Sequence, residues 1–373
     1  MAVKRIAQVT AFWGPAYPTG SGVFCYEISK RLAMQSEVHV YTSNLGNFNA
    51  LENIDNLYVH PQRTYLTAWD MNPLANVFTR LLNDDYDIVH VHSYIFFLSN
   101  QAALAKFFKR RHNMVLHFHG GLDIDSDSHS FQRFRIWAKE NLYDRTLGRF
   151  TVKSADKLLS VSQSDIPIIQ RKFGVNEVDW IPNAVDTEKF LPSEAEDKPS
   201  VILYAGKLEK WKGLEILIEA LSQIKREIKG VELLVAGVGS LEGKLRGSAL
   251  PIRCLGHVPY EKMPEVYQKA SLVILPSFME GLPSVCVEAL SCGVPVVATD
   301  VGDTGKLVLN GETGFLVKPG HAEEIASGAI EILKDNRLRE RMGSNGRKHV
   351  ELNFSYDETV RRISAVYESL APA

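Results

Sequence analysis

The sequence predicts an α/β protein built from two doubly wound domains. Short apolar runs alternate with longer amphipathic segments along almost the whole chain. Many of the short runs are nearly continuous Val, Ile and Leu, the composition of strands buried on both faces of a parallel sheet. The length, 373 residues, is about 2.5 times that of a typical domain.

In the first half, strands are expected at Arg5–Thr10, Glu37–Tyr41, Asp87–Val91, Met114–Phe118 and Lys157–Val161. The second half offers Val201–Ala205, Glu232–Ala236, Ile252–Leu255, Leu272–Leu275 and Val294–Ala298. Helical stretches lie between them at Gly22–Ala33, Gly213–Glu227, Tyr260–Lys269 and Ala322–Lys334. This alternation implies right-handed βαβ units. The segment 182–200, IPNAVDTEKFLPSEAEDKPS without its first residue, is rich in Pro and charge and is the expected linker. Near the end, Val360, Ile363, Val366, Tyr367 and Leu370 fall on one face of a helix over Phe354–Leu370.

Composition removes several classes of function. Hydrophobic residues make up 45% and charged residues 23%, an ordinary globular balance that excludes disorder and fibres. The 42 basic residues face 44 acidic ones, a net charge of −2, so general nucleic-acid binding through phosphate is not expected. Cys25, Cys254, Cys286 and Cys292 form no CxxC pair and, with the histidines, no zinc spacing; they read as small core residues. The start reads as a strand and not a signal peptide, and no apolar run is long enough to span a bilayer. A reducing, cytoplasmic location follows as the expectation, with room for peripheral contact at a membrane surface.

Ligands of open parallel sheets bind beyond the carboxyl ends of the strands, so the residues there carry the chemistry. After the first strand, Gly20 and Gly22 stand at the start of a helix, where small residues let backbone N–H groups approach an anion. After Val201–Ala205 come Lys207 and Lys212, two ammonium groups suited to a diphosphate. After Leu272–Leu275, Pro283 fits the first position of a helix. The amides of Ser284, Val285 and Cys286 would then point at phosphate oxygens. Glu280 lies in the loop before that helix and Glu288 in its second turn. Their separation, roughly 10 Å along a helix rise, suits two contacts on one extended ligand. Carboxylates accept bidentate bonds from vicinal hydroxyls, and Glu288, set among Val285, Val287, Ala289 and Leu290, needs a specific partner. His119, followed by Gly120 and Gly121, ends the strand Met114–Phe118, and His92 ends the run YDIVHVHSY. Alternation puts His117 with His119, and His90 with His92, on one face.

Three other patterns fail on inspection. GVGSLEGKL lacks P-loop spacing and has Leu245 where Ser or Thr would hold magnesium. Asp123, Asp125 and Asp127 lack the Gly and Glu of a calcium loop and read as an exposed acidic loop. Asn353-Phe354-Ser355 fits a glycosylation sequon that a cytoplasmic chain would not use.

Together these residues resemble the family 4 retaining glycosyltransferases, which have the GT-B fold. The carrying motifs are Gly206-Lys207-Leu208 with Lys212-Gly213, and Glu280-Gly281-Leu282-Pro283 with Glu288-Ala289 seven residues on. Ile181–Phe190, His119-Gly120, Gly20-Ser21-Gly22 and DIVHVHS support them, so the likeness spans nearly the whole chain. The resemblance implies two Rossmann-like domains facing across a cleft. It implies that residues 1–185 with 354–373 form the acceptor-side domain, and 186–353 the nucleotide-sugar domain. It further implies that Lys207 and Lys212 hold the donor diphosphate, that Glu288 binds the ribose and that Glu280 binds hydroxyls of the transferred sugar. Pro283, Ser284, Val285 and Cys286 would add amides to the phosphates. Gly20 and Gly22 would close on them, and His119 would sit by the anomeric centre, with His92 towards the acceptor. Two departures bear on donor choice. Lys207 stands where the family usually has Arg, keeping the charge and losing the fork, and Asp303 and Lys306 replace a usual glycine and glutamate.

The expected reaction is transfer of a hexosyl group from a UDP-, GDP- or ADP-sugar to an acceptor hydroxyl, with retention and with no metal or other cofactor. The competing readings are a nucleotide-sugar 2-epimerase of the same architecture and a non-catalytic nucleotide-sugar-binding protein. The acceptor is left open as a glycan, a lipid-linked sugar or a small molecule. Phe107-Phe108-Lys109-Arg110-Arg111 and Phe131–Phe150 mix aromatic and basic residues. Such surfaces suit anionic membranes, though amphipathic helices packed on the sheet would show the same pattern.

Overall fold

The structure is a computed structural model. It describes residues 5–14, 16–17, 19–48, 53–68, 72–109, 112–120, 136–193 and 200–370. The chain forms two compact units, Met1–Pro182 with Thr359–Ala373, and Asn183–Glu358. Asp123, Asp125, Asp127, Arg110, Arg111 and residues 131–135 lie outside the described residues.

The first unit holds β1 (Arg5–Val9), β2 (Glu37–Ser43), β3 (Leu57–Gln62), β4 (Thr64–Ala68), β5 (Asn72–Ala75), β6 (Ile88–His92), β7 (Asn113–Phe118), β8 (Lys157–Ser160) and β9 (Asp179–Trp180). Seven of them make a parallel sheet in the order β3-β2-β1-β6-β7-β8-β9, and β4 and β5 pair as an antiparallel ribbon. Strict alternation sorts the central strands. Ala7, Val9, Val89, Val91, Met114, Leu116 and Phe118 enter one apolar core with Leu98, Ala102 and Ala105 of the helix Phe97–Lys109. The opposite face therefore takes Gln8, His90, His92 and His117. It meets Phe24 of the helix Gly20–Leu32 and Tyr367 of the helix Tyr356–Leu370.

The second unit carries β10 (Val201–Ala205), β11 (Glu232–Ala236), β12 (Ile252–Gly256), β13 (Leu272–Leu275), β14 (Val296–Thr299) and β15 (Gly314–Val317). They form one parallel sheet in the order β12-β11-β10-β13-β14-β15, the nucleotide-binding doubly wound order. Its core packs Leu214, Leu217, Leu221 and Ile224 of the helix Leu214–Glu227 with Ile325, Ala329 and Ile332 of the helix Ala322–Lys334.

Several expected bounds shift for local reasons. Pro295 has no N–H to give the ladder, so β14 begins at Val296 and not at Val294. Tyr260–Lys262 close a 3-10 turn, and the α-helix starts at Met263 with Pro264 in its first turn. β3, β4, β5, β9 and β15 are strands that the sequence reading missed. β3 is a half-exposed edge carrying Pro61, and β9 is two residues long, so neither shows a continuous apolar run. Cys25, Cys286 and Cys292 are buried free thiols, and Cys254 is half-buried.

Candidate active site

In the second unit the strand order reverses between β10 and β13, which are neighbours in the sheet. The crevice at their carboxyl ends is where such sheets bind ligands. Lys207 follows β10 and is exposed; its carbonyl accepts a bond from Tyr204 Oη at 2.7 Å. The chain then makes a 3-10 turn, Lys210–Lys212, and turns into its helix through Gly213. Gly213 has φ +69°, and a Cβ there would stand 1.9 Å from the carbonyl oxygen of Pro276, just after β13. Only a glycine lets the two loops approach this closely. The amide of Phe278 donates to the carbonyl of Trp211 at 2.9 Å, which ties the loops again.

The result is a contact between two of the expected site residues. Lys212 Nζ lies 2.7 Å from Glu280 Oε1, with the side chains only 14% and 9% exposed. The same ammonium sits 4.4 Å from the centroid of the Trp211 ring. An ammonium has three donors, so the pairing leaves others for an anion. The Glu280 loop is itself pinned by Gly302 (φ +56°), where a Cβ would stand 2.0 Å from the carbonyl oxygen of Glu280. Asp303 is buried beside it, and its amide donates to the carbonyl of Gly281 at 2.9 Å.

The following helix is Ser284–Ser291, and here two expectations are corrected. Pro283 is extended (φ −72°, ψ 112°) and caps the helix, so it does not occupy the first helical position. The amide of Cys286 is already spent on the carbonyl of Pro283 at 3.1 Å. Among the described residues, Ser284 and Val285 keep the open donors at this helix start. Glu288 is buried on the inner face, where its Oε2 accepts a bond from Tyr267 Oη at 2.7 Å. Burial pushes the Glu288 carboxyl up to about 7, against the opposing pull of the Tyr267 hydroxyl and the Lys189 ammonium.

That shift has a testable consequence. A carboxyl with a raised folded-state pKa adds stability below the ordinary carboxyl range and loses it as the pH rises through about 7. Glu288→Gln removes the titration. Its melting temperature should therefore fall less than that of the parent between about pH 5 and about pH 8. Parallel melting curves over that range would show that Glu288 is not held neutral.

In the first unit, Gly20 and Gly22 open the helix Gly20–Leu32 with different duties. Gly20 is exposed, and a Cβ there would meet nothing within 4 Å. A Cβ at Gly22 would stand 2.8 Å from Thr19 Oγ1 and 3.0 Å from the carbonyl oxygen of Phe12. The Gly22 amide already donates to Thr19 Oγ1 at 3.1 Å, so Gly22 serves packing and capping.

His119 lies just past β7, partly accessible, with its Nε2 3.0 Å from Nδ1 of His92. His92 is sealed, and its Nε2 meets Gln8 Oε1 at 2.8 Å, so it could reach an acceptor only through His119. The fold also gathers His90, His92 and His117, whose ligand atoms lie within 4.8 Å of one another, a cluster that sequence spacing did not show. It is built as a stack. The His90 and His92 rings lie 4.5 Å apart at 29°, and those of His90 and His117 5.5 Å apart at 9°. With both nitrogens of His92 hydrogen-bonded, three lone pairs do not converge on one point. Burial, with each ring repelling its neighbours' charge, holds His90, His92 and His119 well below the usual histidine range. Burial alone pushes His117 down to about 3, against a bond to the carbonyl of Ile181. All four are neutral at physiological pH.

Sequence reasoning missed Trp211, Tyr267, Gln8 and Tyr367. Only Gln8 carried a signal, as a lone polar residue inside an apolar strand. On the outer surface Phe107, Phe108, Trp137, Leu142 and Leu147 are about half exposed or more, which sets them apart from core-facing residues. Among the described residues no helix is long and apolar enough to cross a membrane.

The two Rossmann-like sheets, with charged and amide groups gathered at the switch point of the second, have their counterparts among glycosyltransferases of GT-B type. The family model described as Glycosyltransferase Family 4 matches residues 18–189, and that described as Glycosyl transferases group 1 matches 186–349. An uncharacterized glycosyltransferase of Methanocaldococcus jannaschii is 24% identical over 377 residues, covering 92% of this chain and 93% of its own. The N-acetyl-alpha-D-glucosaminyl L-malate synthase of Bacillus anthracis is 24% identical over 374 residues, 94% of each chain. Among solved structures, sucrose-phosphate synthase from Thermosynechococcus elongatus has a TM-score of 0.73 at 19% identity, covering 98% of this chain and 99% of that one. Anabaena HepE in complex with UDP-glucose has a TM-score of 0.72 at 21% identity, with coverage of 98% and 99%. The chain belongs to the family 4 glycosyltransferases.

Proposed function

We propose that this glycosyltransferase moves a hexosyl group from a nucleotide-diphosphate sugar to an acceptor hydroxyl, with retention of configuration and without a metal. The observation that supports it most is the Lys212–Glu280 pair at the switch point, a cation and a carboxylate 2.7 Å apart beside an open helix start. In the reaction the bond from the sugar's anomeric carbon to the diphosphate breaks, and the electron pair leaves with the nucleoside diphosphate. Negative charge grows on that leaving group, and the ammonium groups of Lys207 and Lys212 with the amides of Ser284 and Val285 meet it. The acceptor oxygen bonds to the anomeric carbon on the face just vacated, and its proton passes to a phosphate oxygen. Glu280 binds hydroxyls of the transferred sugar, and Glu288, once ionised, binds the ribose. The first unit, with His119 and the exposed Gly20 among its own polar positions, takes the acceptor. Its exposed aromatics, with the exposed Arg145 and Arg149, favour an acceptor presented at an anionic membrane.

The test is incubation with UDP-, GDP- and ADP-sugars, with and without acceptors offered free and in anionic vesicles. Acceptor-dependent release of the nucleoside diphosphate, with a product of unchanged anomeric configuration, is expected. Conversion of the donor to a new nucleotide sugar without acceptor would point to an epimerase. Binding with no release under any acceptor would point to a binding protein.

A further inference from the structure

The face of the first unit's sheet that carries His119 is wired by hydrogen bonds whose directions all follow from the placement of the Gln8 carboxamide, nitrogen towards Tyr367 and oxygen towards His92. The carboxamide nitrogen of Gln8 can only donate, and it lies 3.4 Å from Tyr367 Oη, so that oxygen accepts. The tyrosine's own hydrogen then goes to His90 Nδ1, 2.6 Å away. The carboxamide oxygen of Gln8 can only accept, so the nitrogen 2.8 Å from it, His92 Nε2, carries a hydrogen. A neutral imidazole has a single N–H, which leaves His92 Nδ1 as a bare lone pair. That lone pair faces His119 Nε2 at 3.0 Å, so His119 carries its hydrogen there. His119 Nδ1 is then also a lone pair. It has no protein partner among the described residues, and it is not one of the sealed unpartnered atoms. The chain of bonds ends at the other side on His90 Nε2, which is sealed without a partner.

We infer that Tyr367, Gln8 and His92 are positioning residues that hold His119 as its Nε2–H tautomer, with Nδ1 presented outwards as a hydrogen-bond acceptor. The inference rests on the proposed role of His119 only for its effect on turnover; the tautomer itself does not depend on that reading. It gives three buried polar residues a common task, since their hydrogen bonds all run one way, each donor pointing from His119 towards His90. It also gives the last helix, Tyr356–Leu370, a duty in the site, because Tyr367 is the partner of the Gln8 carboxamide nitrogen. A substrate hydroxyl meeting His119 would have to donate.

Long-range nitrogen–proton NMR on protein labelled with 15N-histidine reads the tautomers directly. In the parent, His119 and His92 should each show a protonated Nε2 and a bare Nδ1. His92→Leu should release His119 to a mixture of tautomers and lower kcat by about 10–100-fold, with the donor KM within about twofold. His92→Asn offers a carbonyl oxygen near the place of Nδ1 and should recover most of that loss. Tyr367→Phe, the mildest change, should shift the His119 tautomer balance and lower kcat by about tenfold. Melting curves establish that each variant is folded. An Nδ1–H tautomer at His119 in the parent, or an unchanged tautomer in both His92→Leu and Tyr367→Phe, would overturn the inference. The assigned tautomers together with no turnover of any donor would uphold it and remove the proposed reaction instead.

Discussion

Lys212→Ala should lower turnover by about 10²–10³-fold, the usual cost of removing one preorganised charge from a developing anion. The side chain is held in place before any ligand arrives, by Glu280 at 2.7 Å and by the Trp211 ring at 4.4 Å. On the proposed reaction, a preset charge need not reorganise as the diphosphate leaves, and that is the origin of the expected effect. The substitution also strips a partner from Glu280, whose side chain is 9% exposed. Leaving that carboxylate unpaired costs about 1–3 kcal/mol and should lower the melting temperature by several degrees. Adding Glu280→Gln separates the two effects. The double variant should regain most of the melting temperature and none of the turnover. Recovery of both would assign Lys212 a purely structural role.

Gly213→Ala should be among the most damaging single methyl groups in the second unit. The new Cβ would lie 1.9 Å from the carbonyl oxygen of Pro276, and the backbone there has φ +69°. Neither atom is the end of a flexible side chain, so one of the two loops must move. Strain of this kind costs on the order of 2–4 kcal/mol. Because the moving loops carry Lys212 and Glu280, activity should fall more than stability predicts. Measured by urea unfolding beside turnover, a variant with normal stability and normal turnover would show that the loops are not in contact as described. Gly243→Ala, at an exposed position of the same unit, is the natural control, since its Cβ would meet nothing within 4 Å.

The sequence showed the fold where a strand is apolar throughout. β10, β11 and β13 have the expected bounds because parallel central strands must be buried on both faces. It hid β3 and β9, because edge strands need no such run. The candidate residues Lys207, Lys212, Glu280 and Glu288 could be placed from the sequence because each follows or enters an element at a fixed offset from a strand end. Their pairings were not. Nothing in the spacing of Lys212 and Glu280 says that Gly213 and Gly302 draw their loops together, and nothing links Glu288 to Tyr267 until helix and sheet are packed. The same holds for His119. Its place at a strand end was visible, but the line of bonds through His92 and Gln8 to Tyr367 joins residues up to 359 positions apart.

The central claim is that the second unit binds a nucleoside diphosphate through Lys212. Calorimetric titration of UDP, GDP and ADP into the parent and into Lys212→Ala/Glu280→Gln tests it most directly. One of the three should bind the parent, and the variant should bind that same ligand at least about tenfold more weakly while melting near the parental temperature. No binding of any of the three, or equal affinity in parent and variant, would contradict the account.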